Sequence, residues 1–286
     1  MTIRLDTPED AAPVLAALRD WQREGLPVQL HPGDVGWYFR FGADETAAAL
    51  RTWSRGGTIL AVALLDGPGL ARLATDPEAR RDDELAARLA DDLTDPARGV
   101  LPEGGADVEA PADALLRDVL ASRGWIPGEA WTPLHRSLTE PVADPGIRVE
   151  TVGTRTADAY AAIVRASFKG SRFNADRWRA LASQAGYADA RSLLAYDAGL
   201  PAAAITVWSA GPGRPGLVEP LGVAPAHRGK GLGRAITAAG AAALRDLGAS
   251  SVEVVTPSDL PGAVATYRSA GFAPGAERRD LSRPAE

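Results

Sequence analysis

The sequence predicts a mixed α/β protein made of two copies of one fold. Three observations support this prediction: a length of 286 residues, short strands that alternate with helical segments, and sequence landmarks that recur in the same order. A chain of this length suits one large domain or two of about 140 residues each. Its 45% hydrophobic and 24% charged residues are the balance of an ordinary globular protein.

Both halves open in the same way. A short strand, Ile-Arg-Leu at residues 3–5 and Ile-Arg-Val at residues 147–149, precedes an Ala-rich segment of helical period at 10–23 and 158–168. Two later pairs of landmarks lie 148 and 147 residues apart, namely Pro77 with Pro225 and Gly124 with Gly271. Chance similarity between Ala- and Arg-rich segments is the alternative, but the ordered recurrence favours a tandem repeat. We therefore expect domains at residues 1–140 and 146–286, joined by a linker that contains proline and glycine.

The second half shows the alternation of strands and helices most clearly. Apolar and β-branched runs between Gly- and Pro-containing turns predict strands at residues 192–196, 202–208, 217–223 and 251–255. A helix is expected from 231 to 247, because apolar or small residues recur there every three or four positions and Gly248 is suited to end it. Another helix is expected at 261–270, where Pro261 fits the first turn.

Composition excludes several classes of function. The formal net charge of −6 argues against a nucleic-acid-binding protein, and the absence of cysteine excludes thiolate nucleophiles, disulfides and cysteine-ligated metals. The three histidines are too scattered to predict a metal site. No apolar run approaches the roughly 20 residues that span a membrane. The polar N-terminus lacks the pattern of a signal peptide, so we expect a cytoplasmic protein without a membrane or metal partner.

The segment most informative about chemistry is LGVAPAHRGKGLGR, which runs from Leu221 to Arg234. A strand passes into a glycine-rich turn that opens a long helix, and such a turn exposes unpaired backbone N–H groups at the positive end of the helix dipole. Arg228, Lys230 and Arg234 add three cations. The pattern predicts a loop that binds phosphate or pyrophosphate, and a glycine turn without a ligand is the alternative.

Two common phosphate loops do not fit this segment. A Walker A motif needs Ser or Thr after its lysine, but Gly231 follows Lys230, and the first glycine of that motif is also absent. A dinucleotide-binding GxGxxG motif would need glycine at Arg234 or at Ile236. The pattern that matches is Arg-x-x-Gly-x-Gly, over residues 228–233.

Together with Tyr267-x-x-x-Gly-Phe272, this loop resembles the GNAT superfamily of acetyl-CoA-dependent N-acetyltransferases, over nearly all of residues 147–282. The resemblance implies two tandem GNAT-like domains, each a mixed, largely antiparallel twisted sheet flanked by helices. It implies that Tyr267 protonates the departing CoA thiolate, with a packing role as the alternative. It also implies cofactor contacts: the backbone of Leu221, Gly222 and Val223 would pair with the pantetheine arm, and the pyrophosphate would lie beside Arg228, on the amides of Gly229, Lys230, Gly231, Leu232, Gly233 and Arg234.

An amine nucleophile must lose a proton, so a general base or a water path is needed. Glu219 lies two residues before Leu221, which in a regular strand puts both side chains on one face. Acidic residues near this place often serve as the base in the family, although a salt bridge or a solvated position is the alternative. Asp259 is the reserve candidate. The asparagine that the family often carries seven residues before the tyrosine is Leu260 here.

The first half has lost both functional parts of the motif. In the matching positions the two loop glycines become Asp83 and Leu85, and the tyrosine becomes Leu120. The carboxylates at residues 82–84 would repel a pyrophosphate and favour a plain capped helix. We therefore expect a degenerate GNAT-like first domain and a catalytic second one, a division similar to the tandem organisation of the mycothiol synthases.

The resemblance implies transfer of an acetyl group from acetyl-CoA to a primary amine of a small molecule. Transfer would be direct, in a ternary complex, because no cysteine is available to form an acyl-enzyme. A non-catalytic acyl-CoA-binding or regulatory protein on the same fold is the second hypothesis. Substrate contacts in the family usually come from the first two helices, here residues 168–178, where Arg172 suits an acidic group and packing is the commoner role for the aromatic residues. Monomer and homodimer are both compatible with the sequence.

Overall fold

The computed structural model describes residues 2–285. The helices are α1 (Ala12–Trp21), α2 (Pro32–Tyr38), α3 (Ala43–Ala49), α4 (Asp83–Thr94), α5 (Leu115–Ser122), α6 (Ala157–Ser167), α7 (Ala175–Ala182), α8 (Leu232–Asp246) and α9 (Pro261–Ser269). The strands are β1 (Ile3–Asp6), β2 (Leu50–Arg55), β3 (Thr58–Leu65), β4 (Leu70–Thr75), β5 (Ala106–Glu109), β6 (Ile126–Ser137), β7 (Val149–Thr151), β8 (Ala190–Asp197), β9 (Leu200–Trp208), β10 (Pro215–Val223), β11 (Ser251–Pro257), β12 (Ala273–Pro274) and β13 (Arg278–Arg283). Every strand and helix predicted in the second half is present, with ends that differ by a few residues.

The chain forms two compact units, and each combines segments that are distant in sequence. The first unit comprises Met1–His31, Ala43–Trp131 and Glu277–Glu286, and the second comprises Pro32–Gly42 and Thr132–Ala276. These units differ from the predicted domains at 1–140 and 146–286 in two segments, each of which belongs to the other unit. Residues 32–42 join the second unit, and the C-terminal strand β13 joins the first.

The sheet of the first unit has the strand order β1-β2-β3-β4-β5-β13-β6, with β6 contributing its first half. Strands β1 to β4 pair antiparallel, β4 and β5 pair parallel, and β13 is antiparallel to both neighbours. The core lies between this sheet and helices α4 and α5, where Trp53, Leu73, Leu89 and Leu120 are fully buried. The Trp53 indole is satisfied because its Nε1 donates to the buried Asp92 carboxylate at 2.9 Å.

The sheet of the second unit has the order β6-β11-β10-β9-β8-β7, with β12 paired to β6. Strands β7 to β10 are antiparallel, and β10 and β11 are parallel. Helix α8 packs on one face with the apolar stripe that the sequence predicted. Gly240 is needed there because a Cβ would come within 3 Å of Ile205 and Val207 on β9. Helix α6 packs against β9 and β10, and Ser167 occupies the space where a side chain at Gly222 would lie.

The two units repeat one motif in detail, which confirms the predicted tandem repeat. Each contains an antiparallel ladder that leads into a parallel pair, β4–β5 and β10–β11. In each unit a helix follows the parallel pair. Just after that helix, the N–H of an aromatic residue, Trp125 in the first unit and Phe272 in the second, donates to the carbonyl of the residue five positions earlier at 3.1 Å. The glycines before them share a left-handed conformation, with φ of +89° at Gly124 and +87° at Gly271.

Candidate active site

A glycine-rich turn connects β10 to α8. Gly229 and Gly231 have φ values of +77° and +78°, a conformation that residues with a Cβ rarely adopt. A Cβ built on either glycine meets no atom within 4 Å, so the space in front of the turn is open. Helix α8 begins directly after Gly231, which places the positive end of its dipole at this opening.

The turn leaves its backbone donors available. Within residues 2–285, the N–H groups of residues 231–234 donate to no protein acceptor. Such donors at a helix N-terminus bind phosphate or pyrophosphate readily, because several N–H groups converge on one anion. The donors, the open space and the two left-handed glycines therefore fit the pyrophosphate that the sequence motif predicted.

Two of the predicted cations at the turn have protein partners. Lys230 Nζ donates to Asp197 Oδ2 at 2.7 Å, and His227 Nδ1 lies 2.8 Å from the same oxygen. Hydrogen bonds from Lys230 and His227 hold the pKa of the Asp197 carboxyl below its ordinary value. Arg228 Nε donates to the Val223 carbonyl at 3.2 Å, so Arg228 braces the turn against the end of β10.

The third cation, Arg234, lies on the first turn of α8 and lines a cavity of about 280 Å³. Arg136 of β6 lies on the same wall, where its Nη1 donates to the Ala270 carbonyl at 2.5 Å. The sequence motif did not identify Arg136, because β6 approaches α8 only through the fold. The cavity therefore presents two guanidinium groups beside the open turn.

Strands β10 and β11 diverge next to the turn. They pair in parallel at Pro215–Leu217, and within the described chain no paired residues follow, although β10 continues to Val223 and β11 to Pro257. The other edge of β10 pairs with β9 through Leu221, Gly222 and Val223. One edge of these three residues therefore borders a gap, where backbone groups are available to an extended ligand, as in β-augmentation.

Glu219 lies at an irregularity of β10. The register with β9 shifts between Val218 and Leu221, and the Glu219–Pro220 peptide bond is cis. The prediction that Glu219 shares a face with Leu221 is wrong, because the shift interrupts the alternation of side chains. Leu221 packs against the core beneath α8, whereas Glu219 lines a cavity beside α6 and α7. The Trp208 indole Nε1 donates to the Glu219 carbonyl at 2.7 Å and fixes the backbone there.

Tyr267 lies on α9 and is 7% exposed, with its ring 5.6 Å from that of Phe272. Within residues 2–285 its hydroxyl makes no hydrogen bond to another residue. Burial, and then the negative charge of Glu219, raises the pKa of Tyr267 well above its ordinary value. The phenol therefore keeps its proton throughout the neutral pH range, as a proton donor must.

The cavity that contains Glu219, called the Glu219 cavity below, has a volume of about 250 Å³. Phe168, Arg172 and Phe173 line it from the segment that sequence analysis considered for substrate contacts. Trp37, Arg40 and Phe41 also line it, and sequence analysis did not identify them. The sequence feature that could have identified these three residues is the aromatic run Trp-Tyr-Phe-Arg-Phe at residues 37–41, in a chain with 6% aromatic residues.

The reserve base and the position of the missing asparagine lie in the connection between β11 and α9. Asp259 is exposed and Leu260 is 51% exposed, so neither is enclosed in a site. Ser258 forms a hydrogen bond of 2.9 Å with the Thr132 hydroxyl. Of the two carboxylates considered as the base, Glu219 is therefore the one that lies in a cavity.

In the first unit, the side chains of Asp82 and Arg55 lie at the helix start that corresponds to the glycine turn. Asp82 caps α4, and its carboxylate accepts a hydrogen bond from the Leu85 N–H at 2.9 Å. Arg55 contacts the same carboxylate at 2.8 Å. Leu120, the counterpart of Tyr267, is fully buried. The predicted capped helix is confirmed, and the Leu85 N–H at its start is already in use.

Among residues 2–285, no group of three or more histidine or carboxylate side chains is arranged to hold a metal ion. No helix in this part of the chain is long and apolar enough to cross a membrane.

Comparison with known proteins points to one family. Residues 157–272 match the acetyltransferase (GNAT) family. Mycothiol acetyltransferase of Sanguibacter keddieii is 40% identical over 73 residues, which are 26% of this chain and 23% of that protein. The enzyme of the same name from Renibacterium salmoninarum is 47% identical over 58 residues, which are 20% of this chain and 17% of that protein. The chain thus spans about a fifth of the length of these relatives.

Solved structures extend the similarity in fold to the whole chain. A GCN5-related N-acetyltransferase from Sphaerobacter thermophilus has a TM-score of 0.59 at 18% identity, covering 98% of this chain and 95% of that one. A tandem GNAT protein from the clavulanic acid biosynthesis pathway has a TM-score of 0.60 at 19% identity, covering 99% of both chains. Residues 157–272 therefore match the acetyltransferase (GNAT) family, within a chain whose fold is that of a tandem GNAT protein.

Proposed function

We propose that the protein is an acetyl-CoA-dependent N-acetyltransferase that acts on a primary amine of a small molecule. The observation that carries the proposal is the open glycine turn at the N-terminus of α8, next to the gap where β10 leaves β11. The turn suits the pyrophosphate of acetyl-CoA, and the exposed edge of Leu221–Val223 suits its pantetheine arm. Arg136 and Arg234 would contact the nucleotide end.

The proposed reaction is a direct transfer between two bound substrates. The amine nitrogen attacks the thioester carbonyl, the carbon–sulfur bond breaks, and the products are an N-acetyl amide and CoA. By analogy with the family, the Val223 N–H would stabilise the oxyanion that forms on the carbonyl oxygen. Tyr267 would give its proton to the departing sulfur and regain one from solvent.

Glu219 is the proposed acceptor of the proton that the attacking amine releases. Its position in a cavity next to the cofactor strand supports this role, and Asp259 or a chain of water molecules is the alternative. Because the chain has no cysteine, no thiolate is present to carry the acetyl group as an acyl-enzyme, which supports the ternary complex. The cytoplasmic location and the choice between monomer and homodimer stay predictions.

Calorimetric titration of acetyl-CoA into the protein tests the proposal. We expect one molecule per chain. Gly231→Ala should weaken binding at least tenfold, because a Cβ at φ +78° costs about 1–2 kcal/mol and projects into the open space in front of the turn. Gly262→Ala is the matched control, since a Cβ there also meets no atom within 4 Å but φ lies outside the left-handed region. Two molecules per chain would contradict the assignment of one site, and no binding would refute the proposal.

The second candidate is a non-catalytic protein that binds acyl-CoA. The absence of the family's asparagine, replaced here by Leu260, favours it. A panel of amines at saturating acetyl-CoA separates the two candidates. Release of CoA thiol is easily followed, because the protein has no thiol of its own. Tight binding of acetyl-CoA without turnover of any amine would support the non-catalytic candidate.

A further inference from the structure

The wall of the Glu219 cavity is strongly cationic. Arg40, Arg172 and Arg177 line it, and Glu219 is the one carboxylate among the wall residues that the structure describes. Within residues 2–285, neither Arg172 nor Arg177 forms an ion pair with a carboxylate. Arg172 and Arg177 therefore present two positive charges to a cavity of about 250 Å³ that an anionic group of a ligand could neutralise.

Two of these arginines are held in place by aromatic rings. The guanidinium carbon of Arg40 lies 4.3 Å from the centre of the Phe41 ring, and that of Arg177 lies 5.1 Å from the same centre. Arg40 Nη1 also donates to the Trp37 carbonyl at 3.0 Å. Both charges are therefore positioned before any ligand arrives, which lowers the entropy cost of binding.

Part of this cationic wall, including Arg40, comes from a segment of the first half of the chain. Residues 32–42 belong to the second unit, where Trp37 stacks on Phe173 with ring centres 4.8 Å apart. Gly36 lies so close to the Trp208 ring that a Cβ would overlap it. Trp208 also donates a hydrogen bond to the Glu219 carbonyl. The same side chain therefore contacts both residues 32–42 and the proposed base.

We propose that the acceptor is a primary amine that also carries an anionic group, a carboxylate or a phosphate, together with an apolar side chain. This inference rests on the proposed acetyl transfer. The anion would be bound by Arg172 and Arg177, whose planar guanidinium groups can donate two parallel hydrogen bonds to such a group. Phe168 and Phe41, which are 43% and 40% exposed, would contact the apolar part. The amine would then lie toward Glu219, which lines the same cavity.

A panel of amines that differ in charge tests this inference. Phenylalanine is compared with its neutral amide, and phosphoethanolamine with ethanolamine, at saturating acetyl-CoA. We expect the anionic member of at least one pair to have a kcat/KM about 10-fold to 100-fold higher, the range expected for hydrogen bonds to a charged group. The pair that shows the preference tells whether the group is a carboxylate or a phosphate. Glucosamine serves as a neutral amino sugar for comparison.

Two arginines of α7 form a matched pair of variants. Arg177→Gln should reduce the preference for the anionic amine about tenfold by raising KM, with kcat and the affinity for acetyl-CoA unchanged. Arg179→Gln lies on the same helix but pairs with Asp176 outside the cavity, and it should leave the preference unchanged. Equal loss in both variants would contradict a specific contact from Arg177.

The outcomes separate this inference from the acetyl transfer on which it rests. Turnover that is equal or faster with the neutral amines would overturn the anionic acceptor and leave acetyl transfer standing. Binding of acetyl-CoA without turnover of any amine would overturn the proposed function, and the acceptor inference with it. An anionic preference that survives Arg177→Gln and Arg172→Gln would also overturn the assignment of the cavity.

Discussion

Replacing Tyr267 by phenylalanine is the sharpest test of the proposed chemistry. The substitution removes one oxygen atom that makes no hydrogen bond to another residue within residues 2–285, and the ring contact with Phe272 is kept. We therefore expect the free energy of unfolding to change by less than about 1 kcal/mol, because no buried partner is left unsatisfied. Any large loss of activity then reports on chemistry rather than on folding.

The expected loss of kcat follows from the proton affinities. Burial raises the pKa of Tyr267 above its ordinary value of about 10, whereas a thiol has a pKa of about 8.5. Proton transfer to a fully formed thiolate is thus uphill by at least about 2 kcal/mol, which is small relative to a catalytic barrier, so Tyr267 can still act as the general acid. We expect kcat to fall about 100-fold, at the low end of the range for general acid catalysis, with an unchanged KM for acetyl-CoA.

The assay measures released CoA thiol at saturating substrates between pH 6 and pH 9. Tyr196→Phe is the control, because it removes a hydroxyl that donates to Glu150 at 2.7 Å outside the proposed site. It should keep full kcat. A Tyr267→Phe variant that also keeps full kcat across this range would refute the acid role and leave Tyr267 as a packing residue.

The remaining predictions concern the base and the stability of the first unit. Glu219→Gln should lower kcat about 100-fold and Asp259→Asn much less, and equal effects on kcat would favour a chain of water molecules as the base. Asp280 accepts a hydrogen bond from Trp131, and burial together with the charge of Glu109 raises the pKa of the Asp280 carboxyl to about 6. The folded state therefore holds that proton more tightly than the unfolded chain, so its stabilising effect is complete below about pH 4 and is lost as the pH rises through 6. Asp280→Asn should gain stability relative to the parent protein between pH 4.5 and pH 7.5 in urea unfolding, and a constant difference would contradict the raised pKa.

The glycine turn and Tyr267 could be predicted from sequence because their signals are local. Gly229 and Gly231 are needed for a backbone conformation that their own neighbours create, and the helix after them has a visible apolar period. The face of Glu219 could not be predicted in this way. The direction of the Glu219 side chain depends on the register shift between β10 and β9 and on the hydrogen bond from Trp208 to the Glu219 carbonyl. Neither can be predicted from the alternation of residues in the β10 sequence.

The part of the cationic wall that residues 37–41 contribute was missed for a different reason, whereas Arg172 had been considered for an acidic group. Trp37 and Phe173 meet although they are far apart in sequence, in a unit that draws its segments from both halves of the chain. The first half was interpreted as a degenerate copy, so its aromatic run was not considered for the site. Repeats show which positions correspond between two domains, but they do not show which segments one domain contributes to the other.

Comparison of α4 with α8 shows why one copy of the fold suits a ligand and the other does not. Asp82 accepts a hydrogen bond from the Leu85 N–H at the start of α4 and adds a negative charge there, a cap that typically stabilises a helix by about 1 kcal/mol. The N-cap residue of α8 is Gly231, which has no side chain to accept a hydrogen bond, and the donors of residues 231–234 are unsatisfied by protein groups in the described chain. The first unit thus gains stability from its own side chain, whereas the second leaves its backbone donors available for an anion. Under the proposed function, substitutions at this helix terminus, together with Leu120 in place of the tyrosine, distinguish the structural repeat from the binding one.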